Sequence, residues 1–175
     1  MAARRFCSPG RRKVDNEMAA DIFAKIGDIK GESSDSKHPS EIEVLSFSWG
    51  VASSSAPGAG GSGVGKPSFH DLSFVHIVDK ASPKLLEACA TGMHVKEATQ
   101  TYRKAGKEQH EYLIVKMSDV TITAVSHGGS SGQASPETVS LAFAKVDFQY
   151  RPQKPDGSLD AAIHFKYDIK ANKPG

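Results

Sequence analysis

The amino-acid sequence predicts a mainly β domain, a small barrel or sandwich with one α-helix packed alongside. From Met18 onward, apolar and polar residues alternate with a period of two, the pattern of half-buried strands. This alternation recurs in about seven segments bounded by turn residues. One further segment, beginning at Ser82, has helical spacing instead. With 175 residues, the chain is long enough to enclose one hydrophobic core.

The predicted strands cover residues 21–29, 42–51, 68–78, 94–103, 111–125, 138–150 and 162–169. In the third of these, Leu72, Phe74 and Val78 lie on one side. In the last, Ile163, Phe165, Tyr167 and Ile169 alternate with His164, Lys166 and Asp168. Strands of this length and number, together with one helix, are typical of a small closed or sandwiched β-sheet.

The second predicted strand has two contrasting faces. Its apolar face carries Leu45, Phe47, Trp49 and Val51. Its opposite face carries Ser46, Ser48 and Gly50, which are small and polar, as expected where a sheet faces water.

The helix is predicted from its end signals. Ser82 suits the N-cap, Pro83 the first helical position and Gly92 the C′ position. Between them lies an apolar stripe formed by Leu85, Leu86 and Cys89. We therefore expect Cys89 to be a small buried hydrophobe and not a nucleophile. The other cysteine, Cys7, lies in a terminal arm, so no disulfide framework is predicted.

Two loops rich in glycine and serine, residues 52–67 and 127–135, contain strings that match catalytic motifs. Residues 60–66 fit G-x-x-x-x-G-K, but Pro67 replaces the Ser/Thr that would hold magnesium and a strand follows instead of a helix. Gly58, Gly60 and Gly63 fit G-x-G-x-x-G without the βαβ unit that the dinucleotide site needs. Residues 128–132 fit G-x-S-x-G, yet a strand follows there too. None of these strings predicts a catalytic or cofactor site.

The remaining polar residues do not predict an active site. The seven histidines lack the tight spacing of a structural zinc site, and most are expected in surface strands or loops. No pair of carboxylates is distinguishable from ordinary solvent-exposed acidic residues. The sequence therefore predicts no enzyme, no metal and no cofactor.

Charge separates a short arm from the rest of the chain. Residues 1–17 carry five basic and two acidic side chains, a net charge of +3, whereas the whole chain has +2. Residues 18–175 are therefore close to neutral, which gives no support for nucleic-acid binding. No stretch is apolar enough to insert into a membrane. The arm also lacks the apolar run of a secretory signal, so it is either a disordered basic tail or sequence read from a misplaced start; we expect the native chain to begin at Met18.

From Met18 onward, the sequence closely resembles the haemolysin-coregulated protein (Hcp) family, the tube subunit of bacterial type VI secretion systems. The segments that carry the resemblance are residues 23–33, 41–50, 79–85, 103–106 and 139–145, followed by Tyr150 and the pair 156–157. The chain departs from the family pattern at Phe47, where many relatives have Trp, and in the arm before Met18.

The resemblance implies a compact β-barrel of two antiparallel sheets with one flanking helix, over residues 18–175. It implies homohexameric rings that stack into a hollow tube, which contraction of a surrounding sheath expels with a spike protein. Assembly in the bacterial cytoplasm, contact with sheath and baseplate components, and secretion without a cleaved signal peptide follow from the same resemblance. Small effectors would travel in the lumen.

The resemblance also assigns candidate surfaces. Ser46 and Ser48 are expected to line the lumen, with Ser48 the best candidate for contacting cargo. The loop at residues 52–67 is similar to the family's extended loop that reaches toward the next ring, so its members Gly58, Gly61, Gly63 and Lys66 are candidate stacking residues.

Two other functions remain as alternatives. The chain could be a ring-shaped chaperone or adaptor that shelters effectors without polymerising. It could also be an effector enzyme on the same scaffold, but residues 171–175 are too few to form a toxin domain.

Overall fold

A computed structural model describes residues 20–53, 66–104 and 109–175 of the chain. The described residues form ten strands and one helix. The strands are β1 (Ala20–Ile26), β2 (Ile42–Ser48), β3 (Val51–Ser53), β4 (Pro67–Phe69), β5 (Leu72–Ile77), β6 (His94–Lys104), β7 (Glu111–His127), β8 (Pro136–Tyr150), β9 (Ile163–Asp168) and β10 (Lys173–Pro174). The helix, α1 (Ser82–Thr91), joins β5 to β6.

Six of the strands close into a barrel in the order β8-β5-β2-β1-β6-β7, because β7 also pairs with β8. Every pairing is antiparallel. The second half of β8, which does not pair with β5, pairs with β9, and β9 in turn pairs with β10. Strands β3 and β4 form a separate two-stranded sheet. The predicted β-barrel with one flanking helix is therefore confirmed.

The barrel encloses one apolar core. Its largest fully buried apolar side chains are Tyr102, Phe74, Ile26, Ile42, Leu72, Leu85, Met117, Ile122 and Leu141. They come from β1, β2, β5, β6, β7, β8 and α1, so each wall of the barrel contributes to the same interior. Burial of this many large side chains is the main stabilising contribution to the fold.

The helix packs against β7 through its buried residues Ser82, Leu85 and Ala88. Gly92 ends it in a left-handed conformation, with φ of 64°, as predicted. Its start differs from the prediction: Ser82 is the first helical residue and Ala81 occupies the cap. The Asp79 carboxylate accepts the amide N–H of Ala81 at 2.8 Å, but no side chain caps the first turn of the helix.

Cys89 is half-buried and packs against the core, which is close to its predicted position. Leu86 was expected on the same apolar stripe. It is instead 42% exposed, because only residues spaced by three or four positions along α1 face β7.

Two predicted strands are each divided in the structure. Residues 42–51 form β2 and β3, and residues 68–78 form β4 and β5. The register of β2 against β5 shifts between Val44 and Ser46, which marks a β-bulge. A bulge inserts one extra residue and reverses the alternation beyond it.

The bulge explains why the predicted apolar face of β2 is only partly correct. Before the bulge, Ile42 and Val44 are buried and Leu45 is 62% exposed. Beyond it, Phe47 is 44% exposed but lies opposite the buried Phe74, and its ring centroid is 4.6 Å from that of the buried Tyr102. Further along, Trp49 packs against the core and Val51 is 50% exposed. In β5, Leu72 and Phe74 point inward together, as predicted, and so does His76. Val78, which was predicted on the same side, lies beyond the end of β5 and is 41% exposed.

One glycine is required by the close approach of two chain segments. A Cβ at Gly31 would lie 2.4 Å from the backbone oxygen of Glu41, and Gly31 itself donates its amide N–H to Ser40. We expect Gly31→Ala to lower the free energy of unfolding by about 1–3 kcal/mol, because backbone must move to relieve the overlap. Thermal and urea denaturation measure this loss. Gly50→Ala is the matched control, since its Cβ would meet nothing within 4 Å; equal losses in both variants would contradict the packing account.

Candidate assembly and cargo surfaces

The outer face of the barrel carries a row of serine hydroxyls across three strands. Ser48 of β2 lies opposite Ser73 of β5, and Ser73 lies opposite Ser140 of β8. The Ser73 and Ser140 hydroxyls are 2.8 Å apart. Their sequence neighbours Leu72, Phe74, Val139 and Leu141 are buried, so these serines face outward. We call Ser48, Ser73 and Ser140 the serine row.

Ser46 and Ser48 are both exposed. Ser46 lies opposite Val75 beyond the bulge, on the same outer face as the serine row. The sequence pattern identified the two serines of β2. It did not identify Ser73 and Ser140, because their alignment with Ser48 depends on strand register between segments distant in sequence.

Large apolar side chains are exposed on several strands, on α1 and in the connections beside it. Besides Leu45, Phe47, Val51 and Val78, the exposed set includes Ile77, Leu86, Met93, Tyr150, Ile163 and Phe165. Ile163 of β9 lies opposite Tyr150 of β8, and the two are 63% and 44% exposed. Exposed apolar side chains that adjoin one another are typical of surfaces that other protein copies or partners cover.

Aromatic side chains fix the β3–β4 sheet on the outside of the barrel. The ring centroid of Phe69 is 5.0 Å from that of Tyr167 and 6.5 Å from that of Phe165, both on β9. Trp49 lies 6.2 Å from Phe148 of β8, in a stacked arrangement. These contacts hold the β3–β4 sheet, whose strands precede and follow residues 54–65, against β8 and β9.

The candidate stacking residues fall mostly outside the described part of the chain. Gly58, Gly61 and Gly63 lie outside the described residues, and so does most of the string at 60–66. Lys66 is described: it is exposed and directly precedes β4. The G-x-S-x-G string at residues 128–132 is an exposed connection between β7 and β8, so a strand follows it, as predicted, and not the helix of a nucleophile elbow.

A buried arginine fastens the connection between β1 and β2 to the barrel. The side chain of Arg103 is 3% exposed and donates to both oxygens of Asp35, at 2.9 and 2.7 Å, and to Asp21 at 2.8 Å. Its guanidinium lies 4.9 Å from the ring centroid of Phe23. The hydrogen bonds from Arg103 and from the Lys37 amide hold the pKa of Asp35 well below its ordinary value.

The opposite face of Phe23 carries a second polar contact. The ring of His38 stacks on Phe23 at a centroid distance of 4.4 Å, and its Nδ1 is 3.0 Å from Glu41. His38 is only 6% exposed, so it is an exception to the prediction that most histidines lie on the surface. The second half of the β1–β2 connection is thus held through Asp35 and His38.

A second buried polar group lies where β5, β7 and β8 meet. Glu137 is fully buried, and its two carboxylate oxygens face the Nε2 atoms of His76, at 2.7 Å, and of His127. His76 is also buried, a further exception among the histidines. Within the three described ranges, no group of three or more His, Cys, Asp or Glu side chains could hold a metal ion. Glu137 and its histidines therefore act as a cross-strand contact.

No helix in the described part of the chain is long and apolar enough to cross a membrane.

Comparison with known proteins agrees with the barrel fold. The family model described as "Type VI secretion system effector, Hcp" matches residues 23–150. Protein hcp1 of Pseudomonas aeruginosa is 46% identical over 159 residues, which cover 89% of this chain and 98% of that protein.

Solved structures give the same result. Hcp1 from Salmonella typhimurium is 40% identical with a TM-score of 0.72, over 90% of this chain and 100% of that chain. A type VI secretion system effector from Yersinia pestis is 38% identical with a TM-score of 0.71, over 85% and 99% of the two chains. A type six secretion system protein that is 27% identical has a TM-score of 0.84, over 90% and 100%.

The matches define a secreted tube protein of type VI secretion systems. Within that class, the chain belongs to the Hcp family. This is a family of structural, self-assembling proteins and not a family of enzymes.

The Arg103–Asp35 contact predicts how stability changes with pH. A carboxyl group whose pKa is lowered by folding stabilises the native state above its unfolded pKa, and this contribution is lost as the pH falls. We expect Asp35→Asn to melt at a lower temperature than the unmodified protein at pH 7. The difference in melting temperature between the two proteins should shrink as the pH is lowered from about 5 to about 2. Over this range the unmodified protein loses the stabilisation from ionised Asp35, which Asp35→Asn lacks at every pH.

Melting temperatures of both proteins across this pH range measure the effect. Asp160→Asn is the control, because Asp160 is 56% exposed and lies 3.8 Å from its nearest cation, Lys154. A difference between Asp35→Asn and the unmodified protein that stays constant with pH would contradict the assignment.

Proposed function

We propose that this chain forms homohexameric rings that stack into a hollow tube, and that contraction of a surrounding sheath expels the tube with its spike. Membership of the Hcp family supports self-assembly. The observation that carries the proposal is the set of exposed apolar side chains on the outer strands, above all the adjoining Tyr150 and Ile163. A closed ring requires two different surfaces of each subunit to meet, so apolar residues on separate walls of one barrel suit it.

The β3–β4 sheet supports a role of its loop in stacking. Val51, Ala52 and Ser53 pair with Phe69, Ser68 and Pro67, and Phe69 packs on β9, so the residues on both sides of 54–65 are held on the barrel. Residues 54–65 can therefore contact a neighbouring ring while these flanking pairs stay in place. Gly58, Gly61, Gly63 and Lys66 remain the proposed stacking residues.

The serine row supports a role of the outer face of β2 in the lumen. Ser46 and Ser48, together with Ser73 and Ser140, present small uncharged hydroxyls over three adjacent strands. Such a face offers hydrogen bonds without a strong charge or a large side chain. It could therefore hold a small effector and release it again. Ser48 lies at the edge of the row and is the proposed cargo contact.

Shortening the loop separates ring formation from stacking. We replace residues 54–65 by a two-residue turn, which preserves the pairing of Ser53 with Pro67. We expect six-fold masses by native mass spectrometry from this variant and from the unmodified protein. At high concentration, electron microscopy should show tubes only from the unmodified protein.

Tubes that persist in the shortened variant would refute the stacking role. Rings without tubes in the unmodified protein would favour the chaperone or adaptor alternative. Monomers from both, and from a chain beginning at Met18, would contradict spontaneous ring formation. The chain beginning at Met18 also tests whether residues 1–17 obstruct assembly.

Ser48→Gln tests the cargo contact. We expect the variant to form rings normally but to retain less of the small secreted proteins that co-purify with the ring, because a longer side chain obstructs the serine row. Quantitative mass spectrometry of the purified ring measures retention. Ser36→Gln, exposed in the β1–β2 connection, is the control. Unchanged retention in Ser48→Gln would show that the assignment is wrong.

A further inference from the structure

A cavity of about 970 Å³ opens at the end of β1, away from the serine row. Three parts of the chain line it. They are the end of β1 with the turn that follows, Lys80 with Lys84 of α1, and Met93 with the start of β6. We call it the lysine cavity, after the five lysines on its lining, which are Lys25, Lys30, Lys80, Lys84 and Lys96.

The lysine cavity has an excess of positive charge. The acidic residues on its lining are Asp28 and Glu97. Lys84 pairs with Glu87 on the surface of α1, at 2.7 Å. In residues 20–53, 66–104 and 109–175, the other four lysines form no ion pair within 4.0 Å, and all five lysines are exposed. Unpaired like charges around one concavity attract an oppositely charged partner.

Apolar residues also lie on the lining of the cavity, of which Met93 and Ile29 are accessible. Ile26 and Val95 are buried at its lining, Ile29 is half-buried and Met93 is 41% exposed. Methionine adapts its shape to different apolar partners. A partner that fills the cavity therefore needs apolar side chains as well as negative charges.

The kinds of residue on the lining favour a protein partner over nucleic acid. Among the described residues of its lining there is no arginine, phenylalanine, tyrosine or tryptophan, and the one ring that could stack is the imidazole of His94. Arginine supplies the bidentate contacts that recognise phosphate, and aromatic rings stack on exposed bases. Lysine acts as a flexible point charge, which suits carboxylates spaced along a peptide. The apolar residues of the lining have no counterpart on a phosphate backbone.

We infer that the lysine cavity binds an acidic, partly apolar segment of another protein. The carboxylates of that segment contact the ammonium groups of Lys25, Lys30 and Lys96, and its apolar side chains contact Met93 and Ile29. This inference does not depend on ring stacking or on the cargo role of the serine row.

A short synthetic peptide of glutamate and leucine residues is the probe. Its binding to the full chain is measured by fluorescence anisotropy. One exposed lysine–carboxylate contact changes affinity by about two- to five-fold, so Lys25→Gln/Lys30→Gln/Lys96→Gln should weaken binding by about tenfold or more. Added salt should weaken binding to the unmodified protein. Met93→Gln should weaken binding with little change in this salt dependence.

Lys116→Gln/Lys145→Gln/Lys166→Gln is the matched control. It removes the same number of lysines from strands β7, β8 and β9, where Lys145 and Lys166 lie within 4.0 Å of Asp168 and Asp147. We expect this variant to bind the peptide like the unmodified protein. Equal weakening in the two triple variants would indicate non-specific attraction and overturn the inference.

Three other results would also overturn it. The first is no binding of the peptide by the unmodified protein. The second is tighter, lysine-dependent binding of a single-stranded oligodeoxythymidine than of the peptide, which would indicate a nucleic-acid site. The third is loss of the hexamer in the Lys25/Lys30/Lys96 variant by native mass spectrometry, which would assign the cavity to contacts between copies of this chain.

Discussion

The pairing of β7 with β8 closes the barrel, and the rest of the structure depends on it. The two strands pair from Leu113 opposite Tyr150 to His127 opposite Glu137, with one register shift between Ile122 and Ala124. Without this pairing, the six barrel strands would form an open sheet with two free edges. Closure satisfies the backbone hydrogen-bonding groups of those edges. Contacts with other subunits are therefore expected to involve side chains on the outer walls.

The length of β8 determines what lies outside the barrel. Its first half pairs with β5 and completes the barrel, whereas its second half pairs with β9. Strand β9 in turn supports the β3–β4 sheet through Phe69. The loop proposed for stacking and the apolar contact of Tyr150 with Ile163 are therefore both consequences of one strand that is longer than the barrel requires.

The alternation in the sequence predicted the strands well but not every face. It holds over the first half of β8, where Val139 and Leu141 are buried, but the buried face changes phase before Ala144 and Val146. It fails along β2, because the bulge after Val44 adds a residue that no periodicity reveals. Ser46 and Ser48 could be predicted as an outer face from local pattern and family resemblance. The serine row and the lysine cavity could not, since register and tertiary contacts bring their residues together.

The buried ionisable groups of the barrel have their partners within the barrel. Glu137 lies opposite His76 on one side and His127 on the other, so one carboxylate joins three strands, and Arg103 is held by two aspartates. A buried charge left without a partner would be strongly destabilising, so these groups are committed to the fold. The four unpaired lysines of the lysine cavity are in the opposite situation. They are exposed, neutralise no buried group and can be removed at little cost to stability, which is what a surface reserved for a separate partner requires.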